Sequence, residues 1–249
     1  MLLSLNSIDL YVVEVFGSGD LLLKMKETQF DFFEGKMEGP TWYMTPELIN
    51  TPSKNKKSLF MFDPINHPEP FGNELRELMD LINNEIKKLP IYQKIKNNHE
   101  FNEAVGVHYY EGPKNNEKGG YLGDHLDVNL ISIIGSDGPT SFWDGNEWIL
   151  CSTNILDDPD YLIPSESFLV MLGSSSQLLG YGHAAKHKVP IINRDKFTFG
   201  MFLEPKNKKD FLLTLPSNKI ISYDQYSNEY FDPNLKEGEI YDIKNKGTF

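Results

Sequence analysis

From Asn73, a good helix N-cap, Leu75, Leu78, Met79, Ile82, Ile86 and Leu89 recur every three or four residues. One apolar stripe at that period predicts an amphipathic helix packed as a buttress against a sheet. Elsewhere apolar residues alternate with polar ones, or run in short blocks bounded by glycine, proline and asparagine. This predicts strands at 8–15, 104–110, 124–134, 140–143, 147–151, 167–172, 186–192 and 196–203, with a turn at Asp144-Gly145. Gly17 and Gly19 mark a turn, and Asp20 is an N-cap for a helix reaching Phe33. Residues 36–70 carry six prolines and read as irregular, a segment that could cover a pocket, with the lysine-rich 53–57 as a solvated loop. The polar, glycine-rich 113–120 reads as a mobile loop near a pocket entrance, and the tail after Pro205 as a helix or extended arm packed on the domain.

These elements make a mainly β protein with flanking helices. At 249 residues the chain suits one domain, 1–249, with an N-terminal part at 1–72, a helix and strand-rich core at 73–205 and a C-terminal extension at 206–249. Within the core, His125-Leu126-Asp127 on a strand would send His125 and Asp127 to one face and Leu126 to the other. His187 follows 60 residues after Asp127. Two imidazoles and one carboxylate on one face of Fe(II) leave about three positions open for co-substrate and O2. The same trio can bind zinc, so a hydrolytic or isomerising enzyme is an alternative. Past His187, the alternation of 186–203 puts Arg194, Lys196 and Thr198 on one face, where a cation and a hydroxyl could hold a carboxylate by charge-assisted hydrogen bonds.

The motifs His125-Leu-Asp127, His187-Lys-Val189 and Lys196-Phe-Thr198 are accompanied by VHYYEGP from Val107, HLDVNLISII from His125, DGNEWI from Asp144 and GMFLEP from Gly200. Over about residues 60–205 this text resembles the isopenicillin N synthase-like group of Fe(II)/2-oxoglutarate-dependent oxygenases. The resemblance implies a distorted double-stranded β-helix, or jelly roll. In it His125, Asp127 and His187 would ligate catalytic Fe(II), while Lys196, Thr198 and Tyr110 would hold 2-oxoglutarate. It implies a dioxygenase that consumes O2, releases succinate and CO2, and hydroxylates a small-molecule substrate. Three departures stand out: Lys196 replaces the usual arginine, His108 stands where an asparagine is common, and the N-terminal region is short. Lysine is a compact point charge rather than a planar fork, so Arg194 could assist it. A lysine anchor also fits a peptidyl or prolyl hydroxylase. Other readings are a 2-oxoglutarate-independent oxidase and a non-catalytic metal-binding jelly roll.

A net charge of −12 argues against nonspecific nucleic-acid binding, which depends on neutralising phosphates. Cys151, the only cysteine, excludes an intrachain disulfide and reads as a packed strand residue. The first residues lack a basic leader, and no apolar run reaches the ~18 residues a membrane helix needs, so a cytoplasmic location is expected.

Overall fold

The computed structural model describes residues 2–5, 8–36, 53–114, 117–151 and 166–231. Two antiparallel sheets face each other. The larger contains β1 (Leu2–Leu5), β2 (Ile8–Glu14), β4 (Lys56–Met61), β5 (Phe101–Tyr110), β7 (Ile131–Ser136), β10 (Ser167–Leu172) and β12 (Lys196–Pro205), in the order β1-β2-β10-β7-β12-β5-β4. The smaller contains β3 (Ser53–Lys54), β6 (Tyr121–His125), β8 (Thr140–Trp143), β9 (Trp148–Cys151) and β11 (His187–Val189), in the order β3-β6-β11-β8-β9. The chain crosses repeatedly between the sheets, as the expected double-stranded β-helix requires.

Helices α1 (Ser18–Phe33), α2 (Asn73–Ile86) and α3 (Pro90–Lys96) cover the outer face of the larger sheet. The apolar stripe of α2, from Leu75 through Ile86, packs against outward residues such as Leu59, Val105, Val107, Phe199 and Met201. The α2 N-cap is Gly72, with φ of 60°, and Asn73 is already helical. Helix α1 likewise starts at Ser18 after Gly17, whose φ of 83° suits only glycine well, and Asp20 lies in its first turn instead of capping it. Helix α3 lies beyond the predicted stripe and begins at Pro90, where a missing N–H costs no intrahelical bond.

Strand alternation divides each long strand between two environments. On β12, Phe197, Phe199, Met201 and Leu203 join the helix-side core, so Lys196, Thr198, Gly200 and Phe202 face the smaller sheet. Between the sheets, Leu10, Val12, Ile134, Phe142, Cys151, Leu169, Met171 and Ala185 fill one flank; Tyr110, Leu122, Val189 and Ile192 fill the other. Buried polar side chains separate these apolar clusters.

The predicted strand 124–134 is two strands. β6 ends at His125, a loop spans 126–130, and β7 starts at Ile131 in the opposite sheet. Leu126, Val128 and Leu130 are buried in this crossover without belonging to a ladder. Asn129 and Ser132 compete with strand pairing: Asn129 Nδ2 donates to Ile131 O at 3.2 Å, and Ser132 Oγ to Asn129 Oδ1 at 3.0 Å. The lysine-rich 53–57 is not a solvated loop, because β3 and β4 begin there and Lys56 is buried. Residues 37–52, the first part of the segment expected to cover a pocket, lie outside the described residues, as do 115–116 of the polar loop. The C-terminal extension forms the hairpin β13 (Leu212–Thr214) and β14 (Ile220–Ser222), then α5 (Tyr223–Phe231), and residues 232–249 lie outside the description. No helix among the described residues is long and apolar enough to cross a membrane.

Candidate metal centre

His125 closes β6 and His187 opens β11, directly opposite each other in the ladder, with ring centroids 4.2 Å apart. Each imidazole uses Nδ1 against the carbonyl two residues upstream: His125 to Gly123 O and His187 to Ala185 O, both at 2.9 Å. A carbonyl only accepts, so both Nδ1 atoms carry a proton, and in the neutral ring this leaves each Nε2 with the lone pair that a metal would take. Those lone pairs meet the Asp127 carboxylate, whose Oδ1 lies 3.6 Å from His125 Nε2 and 3.8 Å from His187 Nε2. The three ligand atoms lie within 4.8 Å of one another. Burial, and then the neighbouring His187, push the His125 pKa well below its ordinary value, which favours the neutral imidazole that metal ligation requires.

Strand alternation does not aim Asp127, because it sits in the crossover loop, and a polar network does so instead. Its Oδ2 accepts from Ser132 Oγ at 2.6 Å, while its backbone carbonyl accepts from Ser174 N at 2.7 Å and Ser174 Oγ at 3.0 Å. A Cβ at Gly173 would stand 2.2 Å from Asn129 O, so only glycine lets this backbone approach the loop.

Helix α5 braces the same loop. The Tyr230 hydroxyl donates to Leu126 O at 2.6 Å and accepts from Leu126 N at 3.1 Å, and Tyr226 donates to Ser174 Oγ at 2.7 Å. Sequence patterning offered no signal for this, since the contact spans 104 residues. If the trio holds Fe(II), Tyr230 would act by positioning the loop, and Tyr230→Phe is expected to weaken Fe(II) binding about 10-fold, the low end for an outer partner of a metal site. A metal titration at a temperature where circular dichroism shows the variant folded checks this. An unchanged affinity would mean that α5 only packs against the loop.

Beside the metal trio, the inner face of the larger sheet carries two polar rows. Lys56, Tyr110 and Lys196 are cross-strand partners over β4, β5 and β12. Ser58, His108, Thr198 and Ser136 form the next row, extending to β7. His108 Nδ1 contacts Ser58 Oγ at 2.8 Å, and Ser136 Oγ contacts Thr198 Oγ1 at 3.1 Å. Burial, followed by the Lys56 charge, holds the His108 pKa well below its ordinary value. Lys196 Nζ donates to Pro139 O at 2.6 Å and Thr140 Oγ1 at 3.2 Å, and lies 5.5 Å from the Tyr110 ring centroid. Burial pushes the Lys196 pKa down to about 7, partly offset by the Asp137 carboxylate. Burial also raises the Tyr110 pKa, with the Asp127 charge adding to it.

Of the residues singled out by sequence, His125, Asp127 and His187 converge on one point, while Tyr110, Lys196 and Thr198 share one wall. Arg194 does not join them. It precedes β12, where alternation has not begun, and its exposed side chain donates from Nη2 to Asp137 O at 3.1 Å. Lys56 and Ser58 were missed. Local pattern held no signal for them, because Lys56-Lys57-Ser58-Leu59-Phe60-Met61 runs three polar residues into three apolar ones without alternating.

No protein-family model matches the sequence, and a search of curated proteins finds no match. Solved structures do resemble the fold. JOX2 in complex with 2OG, Fe and JA superposes with a TM-score of 0.62 at 16% identity, covering 96% of this chain and 83% of that one. The rice dioxygenase for auxin oxidation gives 0.59 at 16% identity, covering 94% and 89%. A full-length Neurospora crassa protein in complex with alpha-KG gives 0.54 at 14% identity, covering 89% and 86%. The chain therefore has the double-stranded β-helix fold of these proteins.

Proposed function

We propose that this protein is an Fe(II)- and 2-oxoglutarate-dependent dioxygenase that oxidises, by hydroxylation, a small-molecule substrate. The observation that carries this reading is the trio His125, Asp127 and His187, the first two half-buried and the last buried, beside a buried wall bearing Lys196, Thr198 and Tyr110. Two neutral imidazoles and a carboxylate fit ferrous iron with positions to spare. When bound, iron and the keto acid supply the oxidising chemistry, with succinate and CO2 as by-products. The chain's own part is binding and positioning. Gly123 and Ala185 hold the two imidazoles in the ligating tautomer, Ser132 orients the carboxylate, and Lys196 and Thr198 offer a cation and a hydroxyl to the far carboxylate of the keto acid. Support for a small molecule comes from the similar structures, JOX2 holding JA and the rice enzyme assigned to auxin oxidation.

Anaerobic titration of the purified protein with Fe(II) and then 2-oxoglutarate tests the reading. The weak visible charge-transfer band of a keto acid chelated to ferrous iron is expected, and succinate should form once O2 and a substrate are supplied. Iron binding with neither band nor succinate would point to a 2-oxoglutarate-independent oxidase or a non-catalytic metal module.

A further inference from the structure

The Lys56 ammonium is a polar group of this wall whose chemistry the metal trio and the Lys196-Thr198 motif leave unused. Lys56 lies on β4, the edge strand outside β5, and its Cα pairs with Tyr110 on one side of β5 as Lys196 does on the other. The two ammonium groups flank one aromatic ring, Lys56 Nζ at 5.9 Å and Lys196 Nζ at 5.5 Å from the Tyr110 centroid. They differ in what they already hold. Lys196 donates to Pro139 O and Thr140 Oγ1. Lys56 is only 4% exposed, yet among the described residues neither its ammonium nor the Tyr110 hydroxyl makes a hydrogen bond.

A buried ammonium without an acceptor is costly, so an acceptor group entering the pocket would stabilise it. Nearby charges indicate its kind. The carboxylate acting on Lys56 is Asp127, whose charge would be committed to a bound dication. Asp137, the carboxylate nearest Lys196 in effect, is already engaged with Lys26 Nζ at 2.5 Å and Phe197 N at 2.6 Å. With metal in place, the wall presents two cations and a phenol hydroxyl to whatever enters, which suits an incoming carboxylate. Phosphate is less suited, because the donors sit on one flat row and do not surround a tetrahedral group.

We propose that Lys56 is a second anchor for the far carboxylate of 2-oxoglutarate, gripped from three adjacent strands by Lys56, Tyr110 and Lys196. The proposal rests on the dioxygenase reading and deepens it. Burial pushes the Lys56 pKa down to about 7, and a bound carboxylate would restore its charged form.

Titration of 2-oxoglutarate into the anaerobic Fe(II)-loaded protein, followed by calorimetry and the visible band, tests it in the wild type and in Lys56→Met, Lys56→Gln and Lys57→Met. Lys57 is the control, since its side chain points outward and pairs with Glu111 at 3.2 Å. Lys56→Met is expected to weaken 2-oxoglutarate by about 10- to 100-fold, the worth of one charge-assisted hydrogen bond, without changing Fe(II) affinity. Lys56→Gln, which keeps a donor and guards against misfolding of the methionine variant, should fall between Lys56→Met and the wild type. Unchanged 2-oxoglutarate affinity in a folded Lys56 variant overturns the proposal and leaves the ammonium to a carboxylate on the oxidised substrate. Wild-type protein that binds Fe(II) but no 2-oxoglutarate overturns the dioxygenase reading itself, a different result from wild-type binding that Lys56→Met leaves intact.

Discussion

Asp127→Ala is expected to weaken Fe(II) binding by more than about 100-fold and to abolish succinate formation, a larger effect than outer-partner changes produce at metal sites. Asp127 is the trio's one anion, and its Oδ1 completes the set with the two Nε2 atoms. Without it, two neutral imidazoles would have to hold a dication in a largely buried site, where uncompensated charge is expensive. The fold should survive, because the loop backbone is still held by Ser174 at the Asp127 carbonyl and by Tyr230 at Leu126. Metal titration with thermal unfolding of the apo-protein separates the two effects. A variant that keeps wild-type iron affinity would remove Asp127 from the metal site, and with it the basis for the proposed reaction.

Phe199→Ala is expected to cost about 3–5 kcal/mol of stability, the usual range for emptying a large aromatic site in a core. Phe199 is fully buried on the helix side of β12, with its ring 6.3 Å from Phe168 in an edge-to-face arrangement. For a chain of this size each kcal/mol lowers the melting temperature by ~2–4 °C, so a fall of roughly 6–20 °C should appear in a thermal melt. Below the transition, 2-oxoglutarate binding should be nearly unchanged, because Thr198 and Lys196 point to the opposite face of the same strand. A large loss of binding in folded Phe199→Ala would show that the two faces are coupled; a shift of the melt below about 2 °C would show that helices and sheet repack around the void.

The two variants probe features of different legibility. Phe199 and its neighbours were readable because alternation along 196–203 is a local property of a strand with one apolar and one polar face. The α2 stripe was readable for the same reason, and β10 falls on residues 167–172 as its pattern indicated. Asp127 was read as a strand position beside His125 and lies instead in the crossover loop, within reach of both imidazoles. The apolar run from Leu126 to Ile134 looks like one buried strand, yet the chain turns between sheets there. Local pattern cannot tell burial under a ladder from burial in a crossover. Lys56 and Arg194 erred in opposite directions. A lysine in a charged stretch was read as solvated and is buried, while an arginine assigned to the pocket face lies exposed before the strand begins.

By itself, the sequence determined which residues could form strands and helices, and it held the donor types for a two-histidine, one-carboxylate site, since periodicity and side-chain chemistry are written locally. The tertiary structure decided which of those groups meet. It set His187 opposite His125 across two strands, turned Asp127 toward them through Ser132, Ser174 and the distant Tyr230, and brought the edge-strand Lys56 beside Tyr110. Those pairings depend on register and sheet order, which arise from long-range packing between segments whose local sequences carry no record of one another.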